Sequence, residues 1–87
     1  MEEIIMKETM RKVIVMINGE NLEINAIRVF YGKNPVTNRC SVNFLDADSG
    51  KWIRLFWLEQ EEANMLVQKI REGKITDLTD YQAEWNL

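Results

Sequence analysis

A chain of 87 residues, 46% apolar and 29% charged, is long enough for one domain, too short for two, and too rich in apolar residues for wholesale disorder. No stretch approaches the ~20 apolar residues of a membrane-spanning helix. The formal charge of −3 excludes nucleic-acid binding by bulk charge alone, although a middle section, residues 24–58, sums to +3 between ends of −2 and −4.

The first ten residues, MEEIIMKETM, are acidic and lack the long apolar run of a secretory signal, so the expected compartment is the cytoplasm. Residues 1–9 read as a frayed arm on a single domain spanning 1–87. The single cysteine, Cys40, cannot close an intramolecular disulfide, which agrees with a reducing compartment.

The clearest local signal is Asn18-Gly19, between Val13-Ile14-Val15-Met16-Ile17 and Glu20-Asn21-Leu22-Glu23-Ile24. Asn-Gly supplies the two positive-φ residues of a tight hairpin turn. The turn sets a register in which Ile17 opposes Glu20, Val15 opposes Leu22 and Val13 opposes Ile24. Val13, Val15, Leu22 and Ile24 then share a core face. Alternation next slips, because Ile27, Val29 and Tyr31 follow Leu22 and Ile24 out of phase. A bulge near Asn25-Ala26 is expected, with the strand ending at Gly32.

Residues 32–38, GKNPVTN, are a loop by composition. A third strand is expected from Arg39 to Leu45, a turn over Asp46-Ala47-Asp48-Ser49-Gly50, and a fourth strand from Lys51 to Leu58. Residues 59–72 form an amphipathic helix, with Ala63, Leu66, Val67 and Ile70 in one stripe. Glu59, Glu61 and Glu62 suit its positive end, Lys69, Arg71 and Lys74 its negative end, and Gly73 its stop. In the last segment, Thr79 with Gln82 fits a capping box, and Leu78, Tyr81 and Trp85 fall at helical spacing. A short helix and a docked irregular tail are both open there. The expected fold is α+β, a four-stranded antiparallel meander followed by one amphipathic helix and a short C-terminal segment.

One helix covers one face of such a sheet. The fourth strand carries Phe56 and Leu58 on one side and Ile53, Leu55 and Trp57 on the other, so both sides demand burial. The expected cover for the second face is the C-terminal segment, through Leu78, Tyr81 and Trp85, or a second copy of the chain in a homodimer.

Catalytic chemistry is missing from the sequence. There is no histidine, and the four glycines are isolated turn residues rather than a phosphate loop. Cys40 lies in a strand without a histidine to activate it, which reads as a buried structural thiol. Asp46-Ala47-Asp48-Ser49-Gly50 resembles the start of a calcium loop, but Trp57 occupies the position of its bidentate glutamate, and a hairpin turn explains the same residues. Glu61 and Glu62 are adjacent on a helix and cannot face each other across a substrate. The expectation is a protein that is not an enzyme and uses no metal and no cofactor.

Binding chemistry is present. Arg28, Tyr31, Lys33, Arg39, Lys51, Trp52, Arg54 and Trp57 mix cations with aromatic rings on strands and loops, as a single-stranded nucleic-acid platform requires. The element order, with the strand-to-helix junction Ile53-Arg54-Leu55-Phe56-Trp57-Leu58-Glu59-Gln60-Glu61-Glu62, resembles the PC4-like transcriptional-coactivator single-strand binders over residues 11–72. That resemblance implies single-stranded nucleic acid bound on a basic-aromatic sheet. The overall charge favours another protein as partner, because Trp, Tyr, Met and Arg are also the residues of protein interfaces. The first expectation is therefore a small acidic inhibitor or adaptor that binds another protein stoichiometrically, of the kind phages and mobile elements encode, such as an anti-CRISPR. Single-strand binding is second and a structural homo-oligomer third. The expected contact residues are Tyr31, Trp52, Arg54, Trp57 and Trp85, with the acidic Asp77, Asp80 and Glu84.

Overall fold

The computed structural model describes residues 10–86; the expected N-terminal arm, residues 1–9, lies outside them. The elements are β1 (Arg11–Ile17), β2 (Glu20–Lys33), β3 (Cys40–Asp46), β4 (Trp52–Leu58), α1 (Gln60–Arg71) and β5 (Gln82–Asn86). The strands form one antiparallel sheet in the order β1-β2-β3-β4-β5. The α+β class stands, with five strands where four were expected.

Asn18 and Gly19 take φ of 54° and 80°, and the hairpin register is the one the turn dictates, with Val15 opposite Leu22 and Val13 opposite Ile24. Val13, Val15 and Ile24 are buried and Leu22 is half-buried. β2 runs one residue beyond Gly32, to Lys33. Its register with β3 shifts between Ile27 and Phe30, not at Asn25-Ala26 as expected, and Arg28 sits there at φ 55°. Ala26 is small and completely buried, so it continues the inward set of Ile24. The slip falls two residues later and separates Ile27, opposite the half-buried Leu45, from the buried Val29.

α1 ends as its sequence dictates. Gly73, at φ 74°, donates to the Ile70 carbonyl at 3.1 Å, and Lys74 donates to the Lys69 carbonyl at 2.8 Å. This is the paired bonding of a Schellman stop. Ala63, Leu66, Val67 and Ile70 are its buried residues.

The C-terminal segment is neither a helix nor an irregular tail. Residues 82–86 pair with β4 along an edge that four strands would leave open. The Thr79 backbone and hydroxyl both donate to Asp77 Oδ1, at 3.0 and 2.7 Å, which makes a side-chain turn instead of a capping box. Just before it, Ile14 of β1 donates to the Thr76 carbonyl at 2.7 Å and accepts from the Leu78 amide at 2.8 Å. The connector thus occupies part of the outer edge of β1 while the strand that follows completes the far edge.

All the large buried side chains belong to one core on the inner face of the curled sheet, including Phe44, Ile53, Leu55, Ile70 and Leu78. Tyr81, Ala83 and Trp85 pack against the same core. The expectation that Leu78, Tyr81 and Trp85 cover the second face is therefore overturned; they line the face that α1 also covers. The two-sided demand of β4 is met differently. The β3–β4 register shifts between Cys40–Leu58 and Ser41–Phe56, leaving Trp57 as the extra residue. That insertion turns Leu58 inward beside Ile53 and Leu55, all at most 4% exposed, and leaves Trp57 51% exposed.

Candidate functional site

Register alone places the side chains of the outer sheet face. Three rows run across β2, β3, β4 and β5. One is Ile27, Leu45, Trp52 and Asn86; the next is Phe30, Asn43, Arg54 and Glu84; the third is Gly32, Ser41, Phe56 and Gln82. No helix or loop among the described residues joins these rows to the core.

The first two rows meet through aromatic rings. Phe30 and Trp52 lie edge-to-face with centroids 5.6 Å apart, at 76°. Their strands flank β3, so backbone spacing alone would hold them roughly 9–10 Å apart. The rings therefore lean over β3 and roof its Leu45 and Asn43. This accounts for Asn43 being buried on a face without any covering element; its amide donates to Ser41 Oγ at 3.2 Å. Phe30 keeps 44% of its surface exposed.

An ion pair spans this face. Arg54 Nη2 lies 3.0 Å from Glu84 Oε2, directly across the β4–β5 ladder, and 3.4 Å from Asn86 Oδ1. Its guanidinium also stands 5.9 Å from the Phe56 ring centroid. The Arg54 Nε is covered and has no hydrogen-bond partner among the described residues.

The third row is low, because Gly32 and Ser41 are small. A cleft of about 130 Å3 opens beside it, walled by Arg39, Ser41, Arg54, Phe56, Trp57 and Glu84. The β2–β3 hairpin loop forms one lip. Asn34 Oδ1 accepts from the amides of Val36 at 2.8 Å and Thr37 at 3.2 Å, and Asn38 at φ 65° turns the chain back to Arg39. The Arg39 backbone is tied to Thr37 Oγ1 and the Asn34 amide, while its guanidinium has no partner among the described residues. Trp57 stands edge-to-face on Phe56 at 5.2 Å, at the opposite lip.

The expected contact residues are divided by the fold. Trp52, Arg54 and Glu84 share the outer face, and Trp57 stands at its end. Trp85 opposes the buried Ile53 and packs on the inner core, with Lys51 Nζ 6.0 Å from its ring. Tyr31 opposes the buried Val42 and belongs to the inner side, 38% exposed. Asp77 and Asp80 lie in the α1–β5 connector. The two hydrogen bonds from Thr79 hold the Asp77 carboxyl below its ordinary pKa. Tyr81, between them and β5, is pushed up by burial and by the nearby carboxylates of Glu62 and Asp80. Sequence reasoning did not select Phe30, Phe56 or Ser41 for the site. Only the two register shifts bring them together, and a misplaced first shift sends Phe30 to the wrong face.

The acids of the calcium-like turn serve the turn itself. Asp46 Oδ1 accepts from the Asp48 amide at 3.2 Å, Asp46 Oδ2 accepts from Ser49 Oγ at 2.7 Å, and Asp48 Oδ2 accepts from Asn25 at 2.7 Å. No helix among the described residues is long and apolar enough to cross a membrane.

No protein family, curated protein or solved structure matches this chain.

Proposed function

We propose that this protein is a non-catalytic binding module, a small stoichiometric inhibitor or adaptor, and that another protein docks on the outer face of β2–β5. One observation supports this most strongly: among the described residues α1, the connector and β5 pack apolar residues on the inner core, while on the other surface Phe30 and Trp57 are exposed and Trp52 and Phe56 half-buried. Aromatic anchors beside the Arg54–Glu84 ion pair suit a protein partner. A polyanion needs a surplus of cations along its track, whereas Arg54 is already paired with Glu84 and the chain carries −3 overall. The adjoining cleft holds about 130 Å3, and the depression of about 390 Å3 beside it, lined by Thr37, Arg39 and Trp57, is open and shallow.

The test is affinity capture from the native cell with nuclease treatment in parallel, comparing wild type with W52A and F30A. A nuclease-resistant protein band that both variants lose supports the reading. A nuclease-sensitive signal transfers the face to single-stranded nucleic acid, the second reading, which draws on Arg39, beside Trp57 and with no side-chain partner among the described residues. Light scattering on the purified chain, wild type against W52A, reads whether the chain self-associates through this face.

A further inference from the structure

We propose that the cleft between the β2–β3 loop and the end of β4 receives one carboxylate side chain, glutamate or aspartate, from the docked partner, and so selects an acidic partner segment. This rests on the protein-binding reading and names its chemistry. Three observations carry it.

The first is size. The cleft, at about 130 Å3, has room for one short polar side chain, and a shallower depression of about 390 Å3 continues from it between Thr37, Arg39 and Trp57. The second is donors. Arg39 brings a guanidinium with no partner among the described residues, Ser41 adds its hydroxyl to the lining, and Arg54, held by Glu84, adds a second positive charge beside them. A planar guanidinium matches a carboxylate with two parallel hydrogen bonds. The third is charge. Two arginines and one glutamate leave the lining at +1 in a chain of −3. One carboxylate neutralises that lining, whereas a nucleic-acid strand brings a further charge with every nucleotide. Phe56 and Trp57 form one wall of the site.

The face and the cleft are continuous, since Arg54 and Phe56 belong to both. A partner that lays an apolar residue on the Phe30–Trp52 pair therefore has its neighbouring side chain within reach of the cleft. The recognised unit is an apolar residue followed closely by an acidic one.

The experiment uses the full chain on a cellulose array of random hexapeptides with one position fixed as glutamate, glutamine or lysine. Wild type, R39E and W52A are compared after thermal melts show all three folded. The expected result is about tenfold greater retention on glutamate than on glutamine, as charge-assisted pairing implies. R39E should reverse the preference toward lysine, and W52A should weaken all retention. Equal retention on glutamate and glutamine, still lost in W52A, would overturn the acidic pocket and leave the protein-binding reading intact. Retention on no peptide would overturn both. Displacement of glutamate peptides by a short oligothymidylate at moderate salt would overturn the carboxylate in favour of phosphate.

Discussion

The Arg71 side chain, in the last turn of α1, donates from both Nε and Nη2 to the backbone carbonyl of Val29 in β2, with the Nε contact at 3.0 Å. Val29 stands inside the register shift and has no partner in the β2–β3 ladder. The arginine thus supplies from the helix the hydrogen bond the bulge removes from the sheet. A second arginine continues the chain of contacts: Arg11 Nε of β1 donates to the Arg71 carbonyl at 2.9 Å. Helix end, bulge and edge strand are held together by two side chains.

Arg71→Ala should therefore cost more than an ordinary surface change, about 1.5–3 kcal/mol, because a charged donor is lost and a carbonyl outside the ladder loses its partner. Arg71→Lys keeps the charge but not the fork and should fall between. Urea melts give both numbers. A loss below about half a kcal/mol for Arg71→Ala would show that water replaces the guanidinium freely.

Gly73 combines two constraints. Its φ of 74° disfavours any side chain, and a Cβ there would stand 3.1 Å from Arg11 Nη1. Gly73→Ala should destabilise by about 1–2 kcal/mol from the backbone alone. The crowding adds to this only as far as Arg11 resists moving. In the Arg11→Ala background the Gly73→Ala cost should shrink, and a double-mutant cycle separates the two contributions.

The parts of the fold legible in the sequence are those fixed by local chemistry. Asn18-Gly19 set the first hairpin, Gly73 ended the helix, and the spacing of Ala63, Leu66, Val67 and Ile70 marked the helical face. The parts missed turn on single inserted residues. Arg28 and Trp57 each occupy the extra position of a bulge, and neither residue type signals one, since positive φ is expected of Gly or Asn rather than Arg. Ile53, Leu55 and Leu58 consequently read as belonging to opposite faces when all three are core. The last segment failed for another reason. Leu78, Tyr81 and Trp85 fit helical spacing, yet Tyr81, Ala83 and Trp85 also fit alternation, and the free edge of β4 decides between them. The site was half legible: Trp52, Arg54 and Trp57 were selected by residue type, while Phe30, Phe56 and Ser41 depend on register.

At the other end of the helix, the N-cap Glu59 has extended backbone and no side-chain cap bond. Its carbonyl accepts from the Ala63 amide at 2.9 Å, but the earlier amides receive nothing from its long side chain. Asp and Ser reach those amides where Glu does not. Glu59→Asp should raise stability by about 0.5–1 kcal/mol, read as a higher melting temperature with unchanged far-ultraviolet circular dichroism. An unchanged or lower melting temperature would contradict it.

The Asp77 carboxyl predicts a pH dependence. The hydrogen bonds from Thr79 favour its charged form, so its folded pKa lies below the unfolded value of 3.8. A depressed carboxyl contributes stability that is present above the unfolded value and lost as pH falls through the folded one. The connector bonded to Ile14 should therefore loosen only in strong acid. Carbon-detected NMR should place the Asp77 midpoint below 3.8, and Thr79→Ala should return it toward that value. An unchanged midpoint in Thr79→Ala would show that another group sets the shift.

The outer face and the inner core should respond differently to the same truncation. Phe44 is completely buried, and Phe44→Ala should cost about 3–5 kcal/mol through lost transfer energy and the cavity left behind. Phe30 is 44% exposed, and its packing gain is chiefly the edge-to-face contact with Trp52. Such a pair adds about 0.5–1.5 kcal/mol beyond the area it buries. Phe30→Ala should cost on the order of 1–2 kcal/mol, as should Trp52→Ala. Part of each loss is shared, because either change breaks the same ring contact, so the double variant should lose less than the sum of the two. The Asn43 amide, roofed by both rings, should show faster hydrogen exchange in either variant as water reaches it. Losses for Phe30→Ala as large as for Phe44→Ala would make these rings part of the core and would remove the surface on which the proposed partner docks. Small losses, with a folded and more exchangeable face, leave that surface free for binding.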